Sequence, residues 1–149
     1  YAPLLSKLWV GGAVARVLTV EAGSSLSSAM DRRPIATRKS PEGPLTVVAS
    51  RSHPDRKTGE FIDSLAVEER ISAGSSLKFC LVAEGRADVY PRFGPTMEWD
   101  VAAGHAIIAA AGGAVLDGEG HPFRYGKPKF ESGPFVAMGQ TDLARRLFR

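Results

Sequence analysis

Apolar and polar positions along this 149-residue chain change period several times, and each change marks an element. Residues 4–20 alternate weakly around Gly11-Gly12, the pattern of a strand, a tight turn and a second strand. Residues 21–44 are rich in Ser, Gly, Pro and charge and read as loop, with a short strand near 35–37. Leu45 to Ser50 is a β-branched run with little alternation, as expected of a strand buried on both faces. A helix is predicted over Asp55–Ser64 and a strand over Glu68–Ser72. Leu77, Phe79, Leu81 and Val82 recur at helical spacing after Ser75-Ser76, so a helix capped by either serine should run to Glu84 and stop at Gly85. Ala87–Arg92 reads as a strand, and Thr96 as the N-cap of a helix through Ala111 that Gly112-Gly113 closes. Short strands follow at Ala114–Leu116 and Pro134–Met138, and Thr141 should cap a terminal helix. Strands alternating with helices predict an α/β fold.

Composition narrows the class. A 44% hydrophobic and 23% charged chain is ordinary for a globular domain of this length. The longest apolar run, Ala106–Ala111, is too short to span a bilayer. Cys80 stands alone and cannot form an internal disulfide, which fits a reducing compartment. The net charge is +3, and the basic pairs Arg32-Arg33, Arg38-Lys39 and Arg145-Arg146 are scattered, without interleaved aromatics. That excludes the dense basic stripe of a nucleic-acid groove and leaves an anionic small molecule as the compatible partner.

The candidate chemistry lies between residues 74 and 104. Asp100 falls in the first or second turn of a helix, where the helix dipole favours an ionised acid, a hard oxygen ligand suited to Mg²⁺. Val101-Ala102-Ala103-Gly104 has so little bulk that this helix can approach a neighbour closely. Gly74-Ser75-Ser76 offers N–H groups and hydroxyls to an anion, and Lys78 lies one turn on. Tyr90-Pro91-Arg92 should stop a strand and send a guanidinium, a bidentate phosphate binder, into a loop. His53 follows the buried strand 45–50, where ligand loops of α/β sheets gather. Taken singly, each residue is more readily first-turn charge, an ordinary cap or surface polarity. His105 and His121 have no metal-ligand spacing with each other or with Cys80. Glu98 is predicted to point to another side of the helix from Asp100, and Asp88 lies on the preceding strand facing an undetermined direction.

In order and spacing, Trp99-Asp100-Val101-Ala102-Ala103-Gly104, the stretch from Gly74 to Gly85, and Tyr90-Pro91-Arg92 resemble the 3′(2′),5′-bisphosphate nucleotidases of the inositol monophosphatase superfamily. Similar words stand at Tyr1-Ala2-Pro3 and Ser50-Arg51-Ser52-His53. The resemblance implies a layered α/β/α/β sugar-phosphatase fold. It implies Mg²⁺ binding and catalysis at Asp100, and nucleotide or phosphate contacts at His53, Ser75, Lys78, Arg92 and Asp100. The implied reaction removes the 3′-phosphate of 3′-phosphoadenosine 5′-phosphate to give AMP, a step in sulfur assimilation. Inositol monophosphatases share the Trp-Asp motif but usually lack counterparts of Lys78 and Arg92, so inositol phosphate is the alternative substrate. A non-catalytic phosphate-binding fragment is the other alternative.

The superfamily's Glu-Glu and Asp-Pro-Ile/Leu-Asp-Gly-Thr motifs are absent from this sequence. Residues 1–149 are therefore read as the C-terminal lobe, and the N-terminal metal-binding lobe is an expected partner. Tyr-Ala-Pro-Leu-Leu at the start reads as the end of a strand, which fits that expectation. The chain alone should be inactive and should expose an apolar face, met by the other half or by a homo-oligomer. The implied location is the cytoplasm or the cytoplasmic face of the inner membrane.

Overall fold

The computed structural model describes residues 1–50 and 55–148. Two sheets organise them. The smaller is antiparallel, in the order β1-β2-β3, with β1 at Lys7–Val10, β2 at Arg16–Thr19 and β3 at Met30–Pro34. The larger has five strands: β4 (Leu45–Ser50), β5 (Val67–Ala73), β6 (Val89–Arg92), β7 (Ala114–Asp117) and β8 (Phe135–Met138). Its order is β5-β4-β6-β8-β7. β4 is parallel to β5 and β6, and β8 is antiparallel to both its neighbours.

Side-chain alternation divides the core. Val48, Tyr90, Phe135 and Ala137 face α2 (Leu77–Ala83) and α3 (Glu98–Ala110). Val47, Val89, Val136 and Met138 face the opposite way, into a second cluster with Ile62 of α1 (Arg56–Asp63) and Leu147 of α4 (Ala144–Leu147). Because both faces are covered, Leu45, Val47 and Val48 are each 2% exposed or less, as a β-branched run with little alternation predicts. The small sheet closes the far side of α2 and α3. Trp9 donates its indole N–H to Glu84 Oε1 at 2.6 Å, and Ala15 N–H reaches Ala110 O at 3.3 Å. A Cβ on Gly11 would lie 2.6 Å from Ala106 O, so only glycine allows this approach. The result is the expected layered α/β arrangement.

Several boundaries differ from the sequence reading. The first hairpin has a five-residue connection, 11–15, in place of a tight turn, and the strand expected at 35–37 lies earlier, at Met30–Pro34. Residues 35–38 instead bridge the sheets: Ile35 N–H bonds to Ala15 O and Thr37 N–H to Ala111 O. Met97, not Thr96, is the N-cap of α3, and Ser76 caps α2 without a side-chain hydrogen bond. Gly85, at φ 71, does end α2. The terminal helix is a 3₁₀ turn at Thr141–Leu143 leading into α4. No helix among the described residues is long and apolar enough to cross a membrane.

Candidate functional site

β4, β5 and β6 run parallel, so their C-terminal ends lie at the same edge of the large sheet. There Ser75, Lys78, Arg92 and Asp100 line a single cleft of about 320 Å³. Four of the five residues singled out in the sequence are thus brought together. The fifth, His53, lies outside the described residues, although Ser50 just before it also lines the cleft.

Lys78 is the most constrained of the group. The side chain is only 2% exposed, so it does not snorkel to the surface. Its ammonium donates to the carbonyls of Ser75 at 2.7 Å and Ala73 at 3.4 Å, and sits 5.0 Å from the centre of the Tyr90 ring. No carboxylate pairs with it among the described residues. Burial, reinforced by the nearby Arg92 charge, lowers its pKa to about 8. Ser75 stands at φ 49, a backbone position uncommon outside glycine, and that bend turns its carbonyl onto the ammonium.

Arg92 is the last residue of β6 and not part of a loop, because Pro91 continues the strand opposite Val136. Among the described residues β6 pairs with β4 only at Val89, so the ladder to β4 has ended before Pro91. The guanidinium gives one N–H to Pro95 O at 2.7 Å, while its Nε is buried without a partner. A buried, unspent donor beside an unpaired cation leaves two positive groups with bonding capacity toward the cleft.

Asp100 opens α3. Its Oδ2 accepts the Thr96 hydroxyl at 3.0 Å and the Met97 N–H at 3.2 Å, which caps the helix and fixes the carboxylate. Glu98 does point elsewhere: it is buried and accepts N–H bonds from Gly126 at 2.8 Å and Lys127 at 3.0 Å. Those N–H donors, Lys127 first, hold its carboxyl below the usual range. Asp88 lies before the start of β6, at the other end from Arg92. It is locked to Arg38 by bonds of 2.7 and 2.6 Å and accepts Thr46 N–H at 2.7 Å. Neither acid reaches the cleft, and among the described residues no three His, Cys, Asp or Glu side chains come together as a metal site.

The floor is aromatic. Phe79 stacks on Phe135 at 5.5 Å, and Tyr90 meets both edge-on, at 5.0 and 5.3 Å. Trp99, 63% exposed, stands at the rim. A second, larger cleft of about 550 Å³ adjoins the first, sharing Ser50, Tyr90 and Arg92 and adding Asp55, Thr58 and Arg70. The sequence reading passed over Tyr90, although its spacing two before Arg92 on a strand puts both on one face. It also passed over Asp55 and Thr58. Asp55 caps α1 through Thr58 N–H at 3.1 Å, and Thr58 Oγ1 accepts Phe93 N–H at 2.8 Å, tying α1 to the end of β6.

Residues 3–145 match the Inositol monophosphatase family. The chain is 57% identical over 82 residues to the 3′(2′),5′-bisphosphate nucleotidase CysQ of Escherichia coli K12, covering 55% of this chain and 33% of that one. It is 50% identical over 84 residues to the CysQ of Buchnera aphidicola, covering 56% of this chain and 31% of the relative. Among solved structures, CysQ from Bacteroides thetaiotaomicron, described as a bacterial member of the inositol monophosphatase family, superposes with a TM-score of 0.76 at 38% identity. That match covers 94% of this chain and 56% of the other. The matched segments span about a third of the length of these two curated relatives.

Proposed function

Because the chain belongs to the inositol monophosphatase family, we propose that it forms part of a Mg²⁺-dependent phosphate-monoester hydrolase acting on 3′-phosphoadenosine 5′-phosphate, with AMP and phosphate as products. One observation carries the reading: among the described residues, a buried lysine without a carboxylate partner shares its cleft with an arginine holding an unspent N–H and with a helix-opening aspartate. Burying a charge is costly unless something compensates it, and a phosphate dianion would supply that compensation. Two cations suit a substrate carrying two phosphates better than a sugar carrying one. The name of the similar Escherichia coli protein, a bisphosphate nucleotidase, supports the same substrate class.

Asp100 fits a magnesium ion as one oxygen ligand, since among the described residues only its Oδ2 is occupied by hydrogen bonds. A bound divalent ion would polarise the phosphoryl oxygens and supply an activated water. The chain's own residues bind and orient. Lys78 and Arg92 neutralise phosphate charge, Thr96 and Met97 keep Asp100 in place, and Phe79, Tyr90 and Phe135 exclude water beneath the anion. The remaining ligands would come from a second lobe, with residues 1–149 acting as the C-terminal one.

A second reading, phosphate binding without turnover, is favoured by the lack of a three-ligand cluster among the described residues. Calorimetry and a phosphate-release assay separate the two. The chain should bind adenosine 3′,5′-bisphosphate more tightly than AMP or inositol 1-phosphate, and should release no phosphate with Mg²⁺ until the complementary lobe is added. Equal affinity of wild type and a Lys78→Ala/Arg92→Ala variant would refute the cleft assignment. Turnover by the chain alone would refute the shared-ligand assignment.

A further inference from the structure

We propose that Tyr90 is a positioning residue whose aromatic ring stands in for a counter-ion, holding the Lys78 ammonium in the cleft without neutralising it; this rests on the phosphate-binding reading above. The ammonium lies 5.0 Å from the ring centre, within cation–π range, and its other partners among the described residues are two backbone carbonyls. A carboxylate in that place would compete with phosphate for the cation. A ring attracts the ammonium through its quadrupole and leaves the N–H donors and full charge for the ligand.

The ring is not free to turn away. It is 4% exposed and wedged edge-on between Phe79 and Phe135. Phe79 is next to Lys78 on α2, and Phe135 comes from β8, so three elements fix the ring against the ammonium. Tyr90 and Arg92 project from the same face of β6, which puts one side chain beside both cations. Among the described residues, the other charged group lining the cleft is Asp100 of α3; the linings from β4 and β8, Ser50 and Phe135, are uncharged.

The test uses the intact chain. In the ligand-free protein, the Lys78 ε-methylene protons should be shifted upfield by the ring current, in wild type and Tyr90→Phe but not in Tyr90→Leu. Calorimetry with adenosine 3′,5′-bisphosphate should find Tyr90→Phe within about twofold of wild type and Tyr90→Leu roughly five- to thirtyfold weaker. In a Lys78→Met background, Tyr90→Leu should cost nothing further. An unshifted Lys78 methylene in wild type overturns the proposal, and this readout stands even if Tyr90→Leu fails to fold. So does an equal loss in the Lys78→Met background, which would make Tyr90 merely structural. Wild type that shows the shift but binds no bisphosphate would refute the phosphate reading and, with it, the purpose assigned to the ring.

Discussion

Replacing Gly104 by alanine sets two effects of opposite sign against each other. Alanine is the better helix former, and in an open position the change is worth about 1 kcal/mol in its favour. At Gly104, however, a Cβ would fall 2.4 Å from Cδ2 and Cγ of Phe79 and 2.9 Å from its Cβ. Carbon atoms pack at about 3.5–4.0 Å, so α3 and α2 would have to part by roughly 1 Å. Phe79 cannot swing aside: it is 2% exposed, stacked on Phe135 and abutted by Tyr90. Overpacking of this kind costs about 1–3 kcal/mol, and a clash with a locked ring belongs at the upper end. We expect a net loss of about 2 kcal/mol, a fall in Tm of about 4–8 °C, and an unchanged m-value in urea. Bisphosphate affinity should fall as well, because Phe79 is the cleft floor. Gly59 in α1 has nothing within 4 Å of its would-be Cβ, so Gly59→Ala is the control and should stabilise. If Gly104→Ala is as stable as Gly59→Ala, the close approach of α2 and α3 is wrong.

Lys78→Met should raise stability near neutral pH by about 2 kcal/mol while weakening bisphosphate binding, because it removes a buried charge that no carboxylate pairs with among the described residues. The folded pKa of about 8 lies below the usual 10.5, so between these values the unfolded chain binds more protons and wild-type stability gains with rising pH. The gap between the two proteins in urea titrations should be full below pH 8 and close toward pH 10.5. Comparing them also cancels Cys80, whose thiol burial pushes up to about 12 and which acts in the opposite sense. Asp88→Asn should cost about 2 kcal/mol by leaving Arg38 without its counter-charge, and should leave bisphosphate affinity unchanged, since Asp88 does not line the cleft.

Much of this was readable from period and punctuation. Leu45–Ser50 was recognisable as a doubly covered strand because no polar residue interrupts its apolar centre. The run 101–104 announced a close helix contact, and Gly104 against Phe79 is that contact. That Asp100, Lys78 and Arg92 would share one cleft was expected from the resemblance that their order and spacing carry. Tyr90 was not, because an aromatic in a strand ordinarily means core, and its second role depends on an ammonium twelve residues earlier folding back over it. The bridge at 35–38 was equally hidden: its partners, Ala15, Ala111, Asp88 and Gln140, are set by the packing of distant segments. Pro91 misled for a local reason, since a proline is harmless where the neighbouring strand has already diverged.

The order in which the large sheet is laid down has a kinetic consequence. β8 is made after all its neighbours yet inserts between β6 and β7, and it brings Phe135. During synthesis, both flanking strands must wait with bare edges for residues 135–138 to emerge, and edges of that kind recruit foreign strands. The anion cleft is therefore finished only when β8 arrives, and a ribosome stalled before Phe135 would hold a chain that carries Lys78 and Arg92 but lacks one of the three rings beneath them.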